Sequence, residues 1–161
     1  MKVQDVMTWD VEACAPDSNL AEAAMIMWRR DCGIVPVVRN PRGQVVGVIT
    51  DRDICIATAT KHREPAAIQV GDAMTKNPRT CAPTEDVHAA LEAMKKAQVR
   101  RLPVLDGEGQ LKGMLSLNDV SLAADRSERK TDAGLAYREV MDVLRAISAH
   151  RARAEVVAAA S

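Results

Sequence analysis

The chain contains an internal repeat, and this repeat constrains its fold more than any other feature of the sequence. Two stretches of similar length carry the same residue types in the same order. The matched positions are Met7 and Met74, Thr8 and Thr75, Cys14 and Cys81, Met27 and Met94, Pro36 and Pro103, Gly47 and Gly113, and Asp53 and Asp119. A repeat of this kind is a supersecondary unit that cannot bury its hydrophobic face alone and packs against its copy. Function is therefore expected where the two copies meet.

Composition and charge exclude several classes of partner. The 161 residues suit one domain, or two half-domains with a shared core. The 22 basic residues equal the 22 acidic ones, so the chain should have no general affinity for nucleic acid or for an anionic membrane. Aromatic residues make up only 2%, too few for a stacking platform. No apolar run is typical of a secretory signal or a membrane span, and we expect a cytoplasmic protein.

The cysteines and histidines do not predict a chemical site. Of the four cysteines, Cys14, Cys32, Cys55 and Cys81, none belongs to a Cys-x-x-Cys pair, and the three histidines are not spaced as metal ligands. We expect the cysteines to be small buried side chains in a reducing compartment. No Ser/His/Asp or Cys/His arrangement can be assembled, so the sequence predicts neither an enzyme nor a metal site.

Each copy is predicted to fold as short strand, helix, strand, strand, helix, which makes the chain an α/β protein. In the first copy Asp17, Ser18 and Asn19 supply helix-capping side chains, and the apolar positions that follow have the spacing of an amphipathic helix. The runs that favour β-strands are 34–38, 45–49, 102–105 and 111–115. The proline within the first strand of each pair indicates an edge position or a break in the ladder.

The repeat divides the chain into four segments. They are the first copy at 1–60, a polar linker at 61–69, the second copy at 70–124, and a charged connector with a helix at 125–161. This long C-terminal helix is predicted from 132 to about 159, with an apolar stripe formed by Val140, Val143, Leu144 and Ile147. The stripe must be buried against its own chain or against a second subunit, and the sequence leaves both open.

Residues 47–53 and their counterpart 113–119 form the candidate site. Both run from a strand into a helix N-terminus, with a hydroxyl at the strand end and a carboxylate three residues later. The helix start offers free N–H groups and a positive dipole end that suit a phosphate, and Thr50 or Ser116 adds a donor. The aspartate that follows can accept hydrogen bonds from the vicinal hydroxyls of a ribose.

A structural interpretation also fits, because Thr or Ser followed three residues later by an acid is a helix capping box. For one isolated instance, capping is the commoner explanation. Here the strand, the glycine and the preceding Pro-Val strand recur around it in both copies, which favours a ligand site, and the two roles can coexist. The glycine permits the close approach of a ligand or of a neighbouring backbone.

The chain resembles a tandem pair of cystathionine-beta-synthase (CBS) domains, a Bateman module, in a small stand-alone protein of bacterial type. The resemblance rests on the repeat order, on the strands that contain Pro36 and Pro103, and on the two Gly-x-x-Thr/Ser-x-x-Asp segments. It covers about residues 1–124, and residues 1–7 and 70–74 match the short lead-in helices of such repeats.

The resemblance implies a pseudo-two-fold pair of repeats with two clefts between them. In many family members these clefts bind AMP, ADP, ATP, S-adenosylmethionine or related adenosyl ligands, among which we include NAD. Each cleft combines the hydroxyl and aspartate of one repeat with the start of the proline strand of the other. The first cleft would consist of Ile49, Thr50, Asp53, Val99, Arg100 and Arg101. The second would consist of Leu115, Ser116, Asp119, Cys32, Gly33 and Ile34.

The two implied clefts differ in charge. Arg100 and Arg101 align with Gly33 and Ile34, so only the first cleft gains guanidiniums that can hold phosphates. A solvated strand start is the alternative explanation for this arginine pair. The second cleft suits an uncharged adenosyl group or an empty site, and Glu12 is expected to make that side less favourable for phosphate.

The sequence and the resemblance together predict a non-catalytic regulatory protein, with an adenosyl effector, no required cofactor and an unidentified partner protein. The alternative is a ligand-independent dimerisation or scaffolding module whose clefts have decayed, although the intact Thr50/Asp53 and Ser116/Asp119 pairs argue against decay. A homodimer is expected because the helix faces and the C-terminal stripe exceed what one module covers, and the resemblance implies a flat parallel or antiparallel dimer.

Overall fold

The computed structural model describes residues 1–39, 43–124 and 135–149. The helices are α1 (Leu20–Arg29), α2 (Asp51–Lys61), α3 (Val87–Ala97), α4 (Leu117–Ala123) and α5 (Tyr137–Ser148). The strands are β1 (Ile34–Val38), β2 (Val45–Thr50), β3 (Thr75–Lys76), β4 (Arg101–Leu105) and β5 (Leu111–Ser116). Three-residue 3-10 helices in the described ranges are Val3–Asp5, Pro65–Ala67 and Val70–Asp72. The repeated order of these elements confirms the predicted α/β class.

Polar side chains start the first helix of each repeat, as predicted. Asn19 Oδ1 accepts a hydrogen bond from Glu22 N at 3.0 Å, and Asp86 Oδ1 accepts one from His88 N at 2.8 Å. Such caps satisfy N–H groups that have no partner inside the helix. The apolar stripes that follow are buried, and they comprise Leu20, Ala23, Ile26 and Met27 in α1 and Val87, Ala90, Leu91 and Met94 in α3.

Pro36 and Pro103 lie in the middle of β1 and β4, which pair antiparallel with β2 and β5 respectively. On the other side of β1 a single parallel bridge joins Cys14 to Val37, and Cys14 N donates to the carbonyl oxygen of Pro36 at 3.1 Å. Cys81 makes the equivalent bridge to β4. Proline lacks an N–H but keeps its carbonyl acceptor. Each proline is therefore tolerated within its strand, because the neighbouring segment on that side pairs through only one bridge.

The lead-in segment at the start of each repeat packs on the other repeat. Val3 N donates to Glu85 O at 2.9 Å, and Thr8 exchanges two backbone hydrogen bonds of 2.9 Å with Met114 in β5. In the opposite direction, β3 lies near the start of the second repeat and pairs antiparallel with β2 of the first. Each repeat therefore extends its sheet with a short segment from the lead-in of the other.

The same exchange joins the two hydrophobic cores. Val3 and Met7 belong to the core of the second repeat, whereas Ile68 and Val70 belong to the core of the first. Ile68 is 1% exposed, although the sequence placed it in a polar linker. The segment boundaries predicted from the sequence therefore describe only the order along the chain. The packed units do not follow these boundaries, because each hydrophobic core includes residues that precede the other repeat's first helix.

Gly47 and Gly113 admit the backbone of these exchanged segments. A Cβ on Gly47 would lie 2.8 Å from Thr75 O and 2.7 Å from Met74 Sδ, and a Cβ on Gly113 would collide with the carbonyl oxygen of Thr8. A side chain at either position would push the exchanged segment off the sheet. Of the two explanations left open for these glycines, the structure supports close approach of a neighbouring backbone.

The C-terminal helix α5 starts later than the sequence predicted. Leu135 is 1% exposed, belongs to the core of the second repeat and lies outside the helix, which begins at Tyr137. Ala136 N then donates to Glu139 Oε2 at 2.9 Å, which closes the first turn. Ala149 has an extended backbone, and the predicted helical residues 150–159 lie outside the described residues.

Helix α5 packs against α3 and α4 of the second repeat. Val140 and Val143 are buried, Ile147 packs at the edge of the core, and Leu144 is 36% exposed. The apolar stripe is therefore buried largely against its own chain. Within the described ranges, no helix combines the length and the apolar character that crossing a membrane requires.

Candidate ligand-binding clefts

Thr50 and Asp53 form a closed hydrogen-bonded pair where β2 leads into α2. Asp53 Oδ2 accepts hydrogen bonds from Thr50 N at 3.0 Å and from Thr50 Oγ1 at 2.7 Å, and Asp53 N donates to Thr50 Oγ1 at 3.1 Å. This arrangement is a complete capping box, so the structural interpretation of the motif is correct. Both side chains are only half-buried, and they border a helix N-terminus that favours anions.

Ser116 and Asp119 repeat this geometry in the second copy, with corresponding distances of 2.8, 2.7 and 3.1 Å. The two pairs differ at the other carboxylate oxygen. Asp119 Oδ1 accepts a long hydrogen bond of 3.5 Å from Thr8 Oγ1. Asp53 Oδ1 accepts none from the residues that the structure describes. Asp53 therefore keeps an oxygen that can accept hydrogen bonds from a ligand hydroxyl.

The strand registers place each strand start beside the hydroxyl of its own repeat. Ile34 lies opposite Thr50, and Arg101 lies opposite Ser116. The two repeats approach each other at these strand starts, because Arg101 Nη1 lies 3.8 Å from the position that a Cβ on Gly33 would occupy. Members of both predicted clefts therefore meet at one junction, which we call the Gly33 junction.

The apolar residues of the predicted site offer fewer groups for ligand binding than the polar residues do. Ile49 and Leu115 are 0% exposed, so neither residue presents accessible surface to a ligand. Val99 packs against the core of the second repeat. Cys32 is half-buried, and its thiol donates to the carbonyl oxygen of Ile34 at 3.4 Å. The chemistry of the clefts thus depends on the hydroxyl, carboxylate and guanidinium groups.

Arg100 and Arg101 bring positive charge to the Gly33 junction. Arg100 is exposed and Arg101 is half-buried. Among the described residues, neither arginine forms an ion pair with a carboxylate. Because a guanidinium has five N–H donors in a planar fork, an unpaired and partly desolvated one is well suited to bind phosphate or carboxylate groups.

Glu12 forms ion pairs with two arginines at the end of α1. Its carboxylate binds Arg29 at 2.6 Å and Arg30 at 3.2 Å, and Arg30 also contacts Asp10 at 3.0 Å. Hydrogen bonds from the two arginines at the end of α1 lower the pKa of Glu12. Because these neighbours compensate its charge, the structure gives no direct support to the expectation that Glu12 disfavours phosphate in the second cleft, which stays a prediction.

Two polar residues that lie beside predicted cleft residues were not identified as site residues from the sequence. Thr8 was recognised as part of the repeat, but its contact with Asp119 depends on the exchange of the lead-in segments, which repeat matching does not reveal. Asp51 is the first residue of α2, and its Oδ2 would lie 2.9 Å from a Cβ on Gly33. The signal for Asp51 was the acidic residue at this position, where the second repeat has Leu117.

The cysteines agree only in part with the expectation of four buried thiols. Cys14 and Cys81 are buried, and burial raises their pKa values to about 11 and about 12. Cys32 is half-buried, and Cys55 is exposed because it lies on the outer side of α2. No group of three or more potential metal ligands occurs among the described residues.

The architecture has a counterpart among known protein families. The model of the CBS domain matches the chain twice, at residues 3–59 and 70–125. The chain belongs to the CBS-domain family. It carries two CBS domains in tandem, as the sequence predicted, and the two domains exchange their lead-in segments.

Relatives and solved structures support this assignment. The chain is 33% identical to the protein YlbB of Bacillus subtilis over 141 residues, which are 88% of this chain and 92% of YlbB. It is similar to the CBS domain pair of protein MJ0100 in complex with 5'-methylthioadenosine and S-adenosyl-L-methionine, with a TM-score of 0.68, 25% identity, and coverage of 76% of this chain and 98% of that one. It is also similar to CBSX2 in complex with AMP, with a TM-score of 0.62, 25% identity, and coverage of 73% and 91%.

Proposed function

We propose that this CBS-domain protein is a non-catalytic, cytoplasmic regulator that binds an adenosyl ligand between its two domains and signals to a partner protein. The observation that supports this most directly is the Gly33 junction, where the half-buried guanidinium of Arg101 has no carboxylate partner among the described residues. The adenosyl ligands in MJ0100 and CBSX2 support the same ligand class. AMP, ADP, ATP, S-adenosylmethionine and NAD are the candidate effectors.

The proposed first cleft combines a ribose acceptor with phosphate donors. Asp53 Oδ1 can accept hydrogen bonds from ribose hydroxyls without loss of the capping box, because Oδ2 alone accepts from Thr50. The N-terminus of α2 and the guanidiniums of Arg100 and Arg101 would then meet the phosphate. The capping and ligand roles of the motif are therefore compatible in one geometry. The complete set is Ile49, Thr50, Asp53, Val99, Arg100 and Arg101.

The proposed second cleft offers less to a charged ligand. A ribose hydroxyl that approaches Asp119 Oδ1 must compete with the hydroxyl of Thr8 or share the oxygen with it. The strand start on this side is formed by Cys32, Gly33 and Ile34, which carry no charge of their own, although the Arg101 guanidinium reaches Gly33. We expect this cleft, completed by Leu115 and Ser116, to bind an uncharged adenosyl group or to bind more weakly than the first.

A thermal-shift experiment with AMP, ADP, ATP, S-adenosylmethionine and NAD tests the proposal. A ligand at about 100 times its dissociation constant adds about 2.7 kcal/mol to the free energy of unfolding, which is readily measured as a rise in Tm. We expect at least one of the five to raise the Tm of the wild type. If none does so at millimolar concentration, the ligand-independent scaffold becomes the better explanation.

We also propose that the protein acts as a homodimer. Ile56 on α2 and Leu122 on α4 occupy matched positions in the two domains and are 48% and 87% exposed. A module with two related apolar positions on its outer helices can form a self-complementary interface about a two-fold axis. In this arrangement a ligand between the domains would alter the relative position of the helices that meet the second subunit.

A further inference from the structure

Charged groups from both domains meet at the Gly33 junction. Asp51 Oδ1 accepts a hydrogen bond from Arg52 N at 2.7 Å, and this bond turns the other oxygen, Oδ2, toward Gly33. Oδ2 lies 2.9 Å from the position of a Cβ on Gly33, and Arg101 Nη1 lies 3.8 Å from the same position. A carboxylate of the first domain and a guanidinium of the second thus border the same point beside Gly33.

The two opposite charges do not neutralise each other by direct contact. In the described part of the chain, Asp51 and Arg101 form no ion pair, although they border the same point. Asp51 is exposed and Arg101 is half-buried, so both can interact with a ligand. A phosphate that binds Arg101 at Nη1 would therefore lie near the Asp51 carboxylate.

The second domain lacks this feature. The position equivalent to Asp51 is Leu117, which is 8% exposed and belongs to the core of the second repeat. The position equivalent to Gly33 is Arg100. The negative charge beside the strand start is therefore a property of one domain, and only the first domain can use it to discriminate among ligands.

We propose that Asp51 is a specificity-determining residue that limits the negative charge of the ligand at the Gly33 junction. This inference rests on the proposed adenosyl-binding function. Arg101 attracts one phosphate, and Asp51 repels each further negative charge placed beside it. At separations near 6 Å and an effective dielectric constant between those of water and protein, one such repulsion changes affinity by about tenfold. The Gly33 junction therefore favours AMP over ATP.

Gly33 allows Asp51 to take this position. Its backbone does not adopt a positive φ, so glycine is not required there for conformational reasons. A Cβ at 2.9 Å from Asp51 Oδ2 is closer than ordinary contacts allow, so an alanine would move the carboxylate away. Gly33 and Asp51 are thus a matched pair, and a change at either should have the same effect on ligand selection.

The test measures the affinities of adenosine, AMP and ATP by calorimetry in buffer without divalent cations. Asp51→Asn removes the charge and keeps the shape, and we expect the ATP-to-AMP affinity ratio to rise about tenfold while adenosine changes by less than about twofold. Gly33→Ala should raise the same ratio. Asp17→Asn, which removes an equal charge at an exposed position before α1, should leave the ratio unchanged.

The outcomes separate this inference from the function on which it rests. If the wild type binds AMP and ATP but Asp51→Asn leaves their ratio unchanged, the role of Asp51 is refuted and the adenosyl function stands. An equal gain for all three compounds also refutes it, because charge would not be the cause. If the wild type binds none of the three, this inference is overturned, whereas the adenosyl function is overturned only if ADP, S-adenosylmethionine and NAD fail to bind as well.

Discussion

Thr8 donates a hydrogen bond of 3.5 Å from its hydroxyl to Oδ1 of Asp119, a residue 111 positions away in the sequence. The contact exists because the lead-in of the first repeat pairs with β5 of the second. A residue near the start of the chain therefore contacts Asp119, a member of the proposed second cleft. Ligand binding at Asp119 would be coupled directly to the position of the N-terminal segment.

The exchange of lead-in segments predicts that Gly113→Ala is destabilising. An added Cβ would collide with the carbonyl oxygen of Thr8, so the exchanged segment must shift or detach. Overpacking of this kind costs about 1–3 kcal/mol, which urea unfolding measures as a lower midpoint. The matched control is Gly107→Ala, because a Cβ on Gly107 has nothing within 4 Å. That change should be neutral or slightly stabilising. Equal losses from both variants would contradict this account.

Local patterns were sufficient to predict the repeat, the helix caps and the strand pairs. Asn19, for example, caps α1 through a contact only three residues long. Contacts between distant residues were not predictable in this way. The pairing of Thr8 with Met114 and the burial of Leu135 depend on surfaces that exist only once the chain has folded. The position of Asp51 beside Arg101 at the Gly33 junction is another arrangement of distant residues that local patterns do not predict.

Asp53→Ala should weaken nucleotide binding in the first cleft and also lower stability slightly. Loss of the charged acceptor for ribose should reduce affinity by roughly 10- to 100-fold. Loss of the capping box that Asp53 makes with Thr50 should cost about 1 kcal/mol of unfolding free energy. Calorimetry and urea unfolding measure the two effects separately.

The control for Asp53 is Asp119→Ala. This variant loses the equivalent capping box in the second repeat, so its stability should fall by a similar amount. Its affinity for a nucleotide in the first cleft should stay close to that of the wild type. If both variants bind nucleotide normally, Asp53 is only a helix cap.

Arg101→Ala should reduce affinity for ADP and ATP far more than for adenosine. The guanidinium has no carboxylate partner among the described residues, so its loss removes an attraction for phosphate without breaking an ion pair of the protein. Arg79→Ala, at an exposed position of the same domain, is the control and should bind all three compounds normally. Equal losses for the three compounds in Arg101→Ala would indicate that the arginine supports the fold.

The cysteines should differ strongly in reactivity. Burial raises the pKa of Cys14 to about 11 and that of Cys81 to about 12. At pH 7 fewer than about one in a thousand of these thiols is ionised, and only the thiolate reacts. Mass spectrometry after iodoacetamide treatment should find Cys55 modified first, with Cys14 and Cys81 modified only after unfolding. Rapid modification of Cys81 in the native protein would show that its core opens readily.

Dimerisation can be tested at Ile56 and Leu122, the matched exposed positions on α2 and α4. Light scattering at tens of micromolar should give twice the mass of one chain for the wild type. Ile56→Glu combined with Leu122→Glu should give the monomer mass, because burial of two new carboxylates in the interface is strongly unfavourable. Met25→Glu changes an equally apolar residue, 51% exposed on α1, and should leave the dimer intact. A wild type that is already monomeric would refute the dimer, and dissociation by Met25→Glu would place the interface on α1 instead.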